Sequence, residues 1–107
     1  VDRLFRFGGE EFVVVIENVD EQTAAAVFER IRAAIEHHLF PQIGTVTVSV
    51  GFSQIPPSDA PAMAFARADK ALYHAKETGR NRVCAFEALA LQGVLTREDA
   101  KSEIELF

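Results

Sequence analysis

The sequence predicts an α+β domain, a mainly antiparallel sheet with packed helices, on three observations. Two β-prone runs flank a glycine pair near the amino terminus, two later segments carry apolar residues at helical spacing, and between them lies a stretch of strict alternation. The implied order is hairpin, helix, strand, helix, strand.

From Leu4 to Ile16, apolar and β-branched residues surround Gly8-Gly9, the pattern of strand, turn and strand, with glycine supplying positive φ at the bend. The second run, Phe12 to Ile16, has no polar interruption, as expected of a strand buried on both faces. Asp20 is a candidate N-cap for a helix whose apolar positions Ala24, Val27, Phe28, Ile31, Ala34, Ile35 and Leu39 recur at steps of three and four, ending near Pro41. His37 and His38 are adjacent near its end and point apart, so they favour a dipole interaction over a shared metal.

"TVTVSVGF", Thr45 to Phe52, sets Val46, Val48, Val50 and Phe52 on one face and Thr45, Thr47, Ser49 and Gly51 on the other, which predicts a strand. Ser58 or Asp59 then caps a second helix with Met63, Phe65, Ala68, Leu72 and Ala75 as its apolar positions, and Gly79 stops it. "NRVCAF" predicts a short last strand. Residues 1–87 thus form one domain, and 88–107, broken by Gly93 and with Thr96 as a cap, an acidic extension that is a short helix or a linker.

A chain of 107 residues accommodates one ordinary domain. Hydrophobic residues at 49%, charged residues at 25% and a mean hydropathy near zero exclude the disordered and membrane-spanning classes. No apolar run reaches bilayer length, no membrane contact by this segment is expected, and no amino-terminal signal pattern is visible. A net charge of −5 argues against nucleic acid as partner. The charge is unevenly spread: Arg67, Lys70, Lys76, Arg80 and Arg82 face only Asp69 and Glu77 between Phe65 and Arg82, a basic segment suited to a small polyanion or to a solvated helix face. Cys84, alone and between apolar neighbours, has the pattern of a small buried residue rather than a nucleophile, and the expected compartment is reducing.

The stretch "RFGGEEF" asks for a chemical explanation, because a bland turn has little reason to place Glu10 and Glu11 directly before a buried strand. Bare backbone at Gly8 and Gly9 permits close approach of a phosphate compound, and paired carboxylates suit the hard cation that accompanies a triphosphate. Lys76 and Arg80, four apart at the end of the second helix, read alone as cations complementing a helix C-terminus; together with the acids they form the positive half of a site for a metal-bound triphosphate.

"RFGGEEF" closely resembles the signature of the GGDEF family, in the variant with Glu at the third position. "TVSVGF" and "ADKALYHAKETGRNRV" resemble that family's later blocks, in the same order and at similar separations, and the likeness extends over residues 2 to 86. The resemblance implies a nucleotide-cyclase-like fold with a ferredoxin-like palm, and diguanylate cyclase activity: two domains, each with one GTP, meet as a homodimer and form cyclic di-GMP with release of pyrophosphate. By position it implies that Gly8 and Gly9 lie against the ribose and phosphates, that Glu10 ligates Mg²⁺ or Mn²⁺, and that Glu11 assists at the metal or the attacking hydroxyl. Lys76 and Arg80 match phosphate-contacting residues. Asp2 stands at the acid of a product-binding inhibitory motif, and Arg30 matches an arginine that joins that allosteric site or else is a solvated helix residue.

The family domain is about half again as long, so the resemblance implies that this chain is its carboxy-terminal portion, without a metal-binding aspartate, the guanine-reading residues and a central strand. The expectations that follow are an inactive isolated segment, association through unpaired strand edges, and a parent protein that is cytoplasmic, or the cytoplasmic portion of a membrane-anchored one, fused to a sensory or regulatory domain. Two other readings remain open: a non-catalytic module of the same family that binds GTP or cyclic di-GMP and regulates a neighbour, and an α+β interaction domain whose hairpin merely resembles the motif.

Overall fold

The computed structural model describes the backbone of residues 3–6 and 12–15 and all of residues 19–95. Strands β1 (Arg3–Arg6) and β2 (Phe12–Val15) pair antiparallel, with Arg3 opposite Val15 and Arg6 opposite Phe12, as the glycine-centred pattern predicts. Residues 7–11, which join them, lie outside the described residues.

Helix α1 (Glu21–Glu36) starts where the sequence places its cap. Asp20 is extended, and its Oδ1 accepts the Thr23 amide at 2.7 Å, satisfying one of the donors a helix start leaves open. The same bond holds the Asp20 carboxyl below its ordinary pKa. The helix ends at Glu36 rather than near Pro41, with His37 as C-cap. Phe40 and Gly44 then exchange two backbone hydrogen bonds of 2.9 Å, closing a tight turn that draws the chain off the helix axis. Leu39, an expected core position, is 74% exposed as a result.

The alternating stretch forms a shorter strand than expected, β3 (Val50–Phe52), which begins where the Val50 amide meets the Arg82 carbonyl at 2.9 Å. Alternation records which side chains face inward; the length of a ladder is decided by where a partner backbone lies alongside. Helix α2 (Pro61–Glu77) follows, then β4 (Val83–Ala85) and α3 (Phe86–Leu91). The N-cap of α2 is Ala60, with no side-chain bond, and Pro61 opens the helix with a φ suited to it. Neither Ser58 nor Asp59 caps it. Thr96 and the helix expected after it lie outside the described residues.

The mainly antiparallel sheet is corrected: β3 and β4 run parallel, Val50 opposite Val83 and Phe52 opposite Ala85, and among the described strands β1 and β2 alone pair antiparallel. A strand, a long helix and a strand in succession make a crossover connection, which returns the chain to the start of the ladder in the same direction.

Both faces of that ladder are covered. Phe52, 8% exposed, meets Phe28 of α1 with ring centroids 5.2 Å apart. On the other face Gly51 lies against α2 so closely that a Cβ there would stand 2.1 Å from the Leu72 amide nitrogen and 2.5 Å from the Ala68 carbonyl oxygen. The buried side chains of α2, apart from Arg67, are small, Ala64, Ala66, Ala71 and Ala75, while the expected core residue Phe65 is 37% exposed. Phe86 and Leu89 of α3 complete the core against Ala66 and Ala71.

Candidate functional site at the turn after helix α2

Thr78 caps α2, its amide and hydroxyl both donating to the His74 carbonyl, at 3.0 and 2.7 Å. Gly79 then takes φ 127°, a left-handed conformation open to glycine without a Cβ penalty, so it stops the helix as the sequence predicts. The Arg80 amide donates to the Ala75 carbonyl at 2.9 Å, the closing bond of a Schellman-type helix end. This bond draws Arg80 back over the turn that carries Lys76. The two cations singled out from the sequence therefore belong to one end of α2: Lys76 half-buried in the last turn, Arg80 exposed just beyond it. Lys76 is engaged in interactions of its own.

Left-handed backbone continues through Arg80, at φ 63°, and Asn81, at φ 49°. Asn81 is anchored from three sides. Its Oδ1 accepts from Arg32 Nη1 at 2.7 Å, its Nδ2 donates to Glu36 Oε2 at 2.7 Å, and its amide donates to Ser49 Oγ at 3.1 Å. Arg32 also binds Glu29 and Glu36, both of whose carboxyls are held below their ordinary pKa by that guanidinium before any other cause. The same carboxylates raise the pKa of Arg32 further, which keeps it charged.

Sequence reasoning missed Arg32, Glu36 and Asn81. A signal for the first two was present in the spacing of Glu29, Arg32 and Glu36, which places opposite charges three and four apart on one helix face. Asn81 left a weaker trace, since asparagine after glycine is the side chain best suited to left-handed backbone.

Gly8, Gly9, Glu10, Glu11 and Asp2 lie outside the described residues, and Arg30 is exposed on α1. Among the described residues no group of three or more His, Cys, Asp or Glu side chains is arranged to hold a metal ion. His37 Nδ1 binds the Ala33 carbonyl at 2.8 Å while the His38 ring packs edge-on against Phe40, so the two imidazoles have separate partners. Cys84 is half-buried, and burial pushes its thiol pKa up, away from nucleophile character. No helix among the described residues is long and apolar enough to cross a membrane.

Comparison with known proteins matches residues 1–82 to the family model described as diguanylate cyclase, GGDEF domain. Diguanylate cyclase A of Treponema denticola is 43% identical over 86 residues, covering 77% of this chain and 23% of that protein. A diguanylate cyclase of Vibrio cholerae is 41% identical over 83 residues, covering 76% of this chain and 26% of that protein. Among solved structures, the GGDEF domain of DgcB from Caulobacter crescentus in complex with c-di-GMP superposes with a TM-score of 0.76 at 34% identity, over 80% of this chain and 52% of that one. The active GGEEF domain of a Vibrio cholerae diguanylate cyclase gives 0.74 at 38% identity, over 80% of this chain and 56% of that one. The chain thus spans about a quarter of the length of these relatives and about half of the solved domains. With its three sequence blocks, its fold and these matches in agreement, the chain belongs to the GGDEF family of diguanylate cyclases.

Proposed function

We propose that this chain is part of a catalytically competent diguanylate cyclase domain that condenses two GTP molecules to cyclic di-GMP. The observation that carries the reading is the union of an intact acid pair, Glu10-Glu11, with Lys76 and Arg80 gathered at one end of α2. In the reaction the ribose 3′-hydroxyl of one GTP attacks the α-phosphorus of the other, forming the P–O bond as the bond to pyrophosphate breaks. It takes place twice across a pair of domains.

Lys76 and Arg80 would bind and orient the triphosphate, and Gly8 and Gly9 would let it approach the backbone. Two adjacent carboxylates are a donor set suited to Mg²⁺ or Mn²⁺, so Glu10 and Glu11 would hold the ion, which when bound neutralises phosphate charge. Glu11 would also hold the attacking hydroxyl or take its proton. The relatives solved in complex with c-di-GMP support product binding by the domain, and Asp2 and Arg30 would contribute to a second, inhibitory site for it.

The test is GTP turnover with Mg²⁺ by the complete protein, against its Glu11→Ala variant. The cyclase reading requires cyclic di-GMP from the unmutated protein and a loss of about a hundredfold or more in the variant. Nucleotide binding without product in either would identify a regulatory module instead. The 107-residue segment by itself is expected to yield no product.

A further inference from the structure

We propose that Arg32, Glu36 and Ser49 act through Asn81 as positioning residues, holding the turn after α2 in its left-handed form and so fixing where Arg80 presents its guanidinium to a nucleoside triphosphate. The ligand in this statement rests on the proposed function; the clamp on the turn does not.

Three successive residues, Gly79, Arg80 and Asn81, have φ of 127°, 63° and 49°. Only the first is glycine. A left-handed L-residue costs about 1–2 kcal/mol, so an arginine followed by an asparagine in that region persists only where the surroundings over-determine it. A Schellman-type helix end accounts for Gly79, and its bond to Ala75 ends at the Arg80 amide. What continues the left-handed run is the grip on Asn81.

That grip uses the Asn81 amide group at both ends, with charges of the fitting sign: the carbonyl oxygen faces the Arg32 guanidinium and the amide nitrogen faces the Glu36 carboxylate, each at 2.7 Å. Its backbone amide is taken by Ser49 at 3.1 Å, just before β3. The partners come from α1 and from the approach to β3, 32 to 49 residues away in sequence, so the turn is tied to the body of the fold and not merely to its own helix. Arg82 Nε donates to the Arg80 carbonyl at 3.0 Å, and its Nη2 would stand 2.5 Å from a Cβ at Gly79. The Arg80 side chain is exposed, as is that of Arg82, and its backbone is fixed before and after it. Hydrogen bonds to charged groups are the stronger ones, and an arginine whose backbone is already placed loses less freedom on meeting a phosphate.

Asn81→Gly tests this, because glycine keeps the left-handed conformation while removing the side-chain clamp. In the complete protein, calorimetric GTP affinity is measured for Asn81→Gly, Arg80→Ala and the double variant, together with hydrogen exchange of amides 79–82. The expected result is about tenfold weaker binding in Asn81→Gly, a double variant no weaker than Arg80→Ala, and faster exchange confined to the turn. Ser49→Ala, which removes one bond of the clamp, should give a smaller loss in the same direction. Additive losses in the double variant would mean that Asn81 staples the helix without positioning Arg80, and overturn the proposal, as would unchanged exchange in Asn81→Gly. Absence of GTP binding by the unmutated protein defeats the proposed function and the ligand assigned to Arg80, while exchange still decides the clamp.

Discussion

Arg67 is 2% exposed, and no other charged side chain among the described residues is buried. Its guanidinium donates to Ser53 Oγ at 3.0 Å and to the Gln54 carbonyl at 3.1 Å, pairs with Asp59, and has Glu87 at 3.8 Å. Ser53 in turn donates to Glu87 at 2.7 Å. Read from the sequence, Arg67 belongs to a basic segment and Asp59 to a helix cap; the structure gives them to each other. Taking Asp59 away leaves the buried guanidinium with the more distant Glu87 carboxylate as its remaining counter-charge, so Asp59→Ala should cost about 3 kcal/mol in chemical denaturation, the lower end for a broken buried pair. Asp59→Ala with Arg67→Met should recover more than half of that, since an apolar side chain of similar length needs no partner. Equal losses in the single and double variants would show that Arg67 stabilises by packing alone.

At the scale of elements, the decisive contact is the approach of α2 to β3. Glycine in a strand interior ordinarily weakens it, but at position 51 a side chain would collide with helix backbone at 2.1 Å, and backbone cannot rotate away. Gly51→Ala should therefore destabilise the protein by about 3 kcal/mol or more, a cost of overpacking, with a lowered denaturation midpoint and an unchanged slope. A loss below about 1 kcal/mol would mean that α2 slides freely along the sheet. The apolar spacing of α2 was legible in part: of Met63, Phe65, Ala68, Leu72 and Ala75, Ala75 is buried and Ala68 and Leu72 meet Gly51 through their backbone, whereas Phe65 is 37% exposed. The Asp20 cap and the Gly79 stop were legible because both act on backbone groups within four residues of themselves.

For the whole molecule, the described strands make two separate two-stranded ladders, each below the size at which a sheet is stable by itself. Leu39, Ile43 and Leu91 are 74%, 73% and 89% exposed, adding apolar surface to unpaired edges. The 107-residue chain in isolation should therefore self-associate. Light scattering coupled to size exclusion checks this, and a well-folded monomer at micromolar concentration would contradict it.

The order of elements as far as β4, the antiparallel pairing of β1 with β2, the family and the placement of Lys76 and Arg80 together after α2 were legible in the sequence itself, because each depends on local periodicity, on a cap or on a short motif, whereas α3, which starts at Phe86 where a strand was expected, was not. Strand direction, the length of β3, the burial of Arg67 and the clamp on Asn81 were decided by tertiary structure. All of these depend on partners many residues distant, and the free energy of a hydrogen bond or an ion pair depends on what lies opposite and how much water is excluded, which linear spacing does not encode.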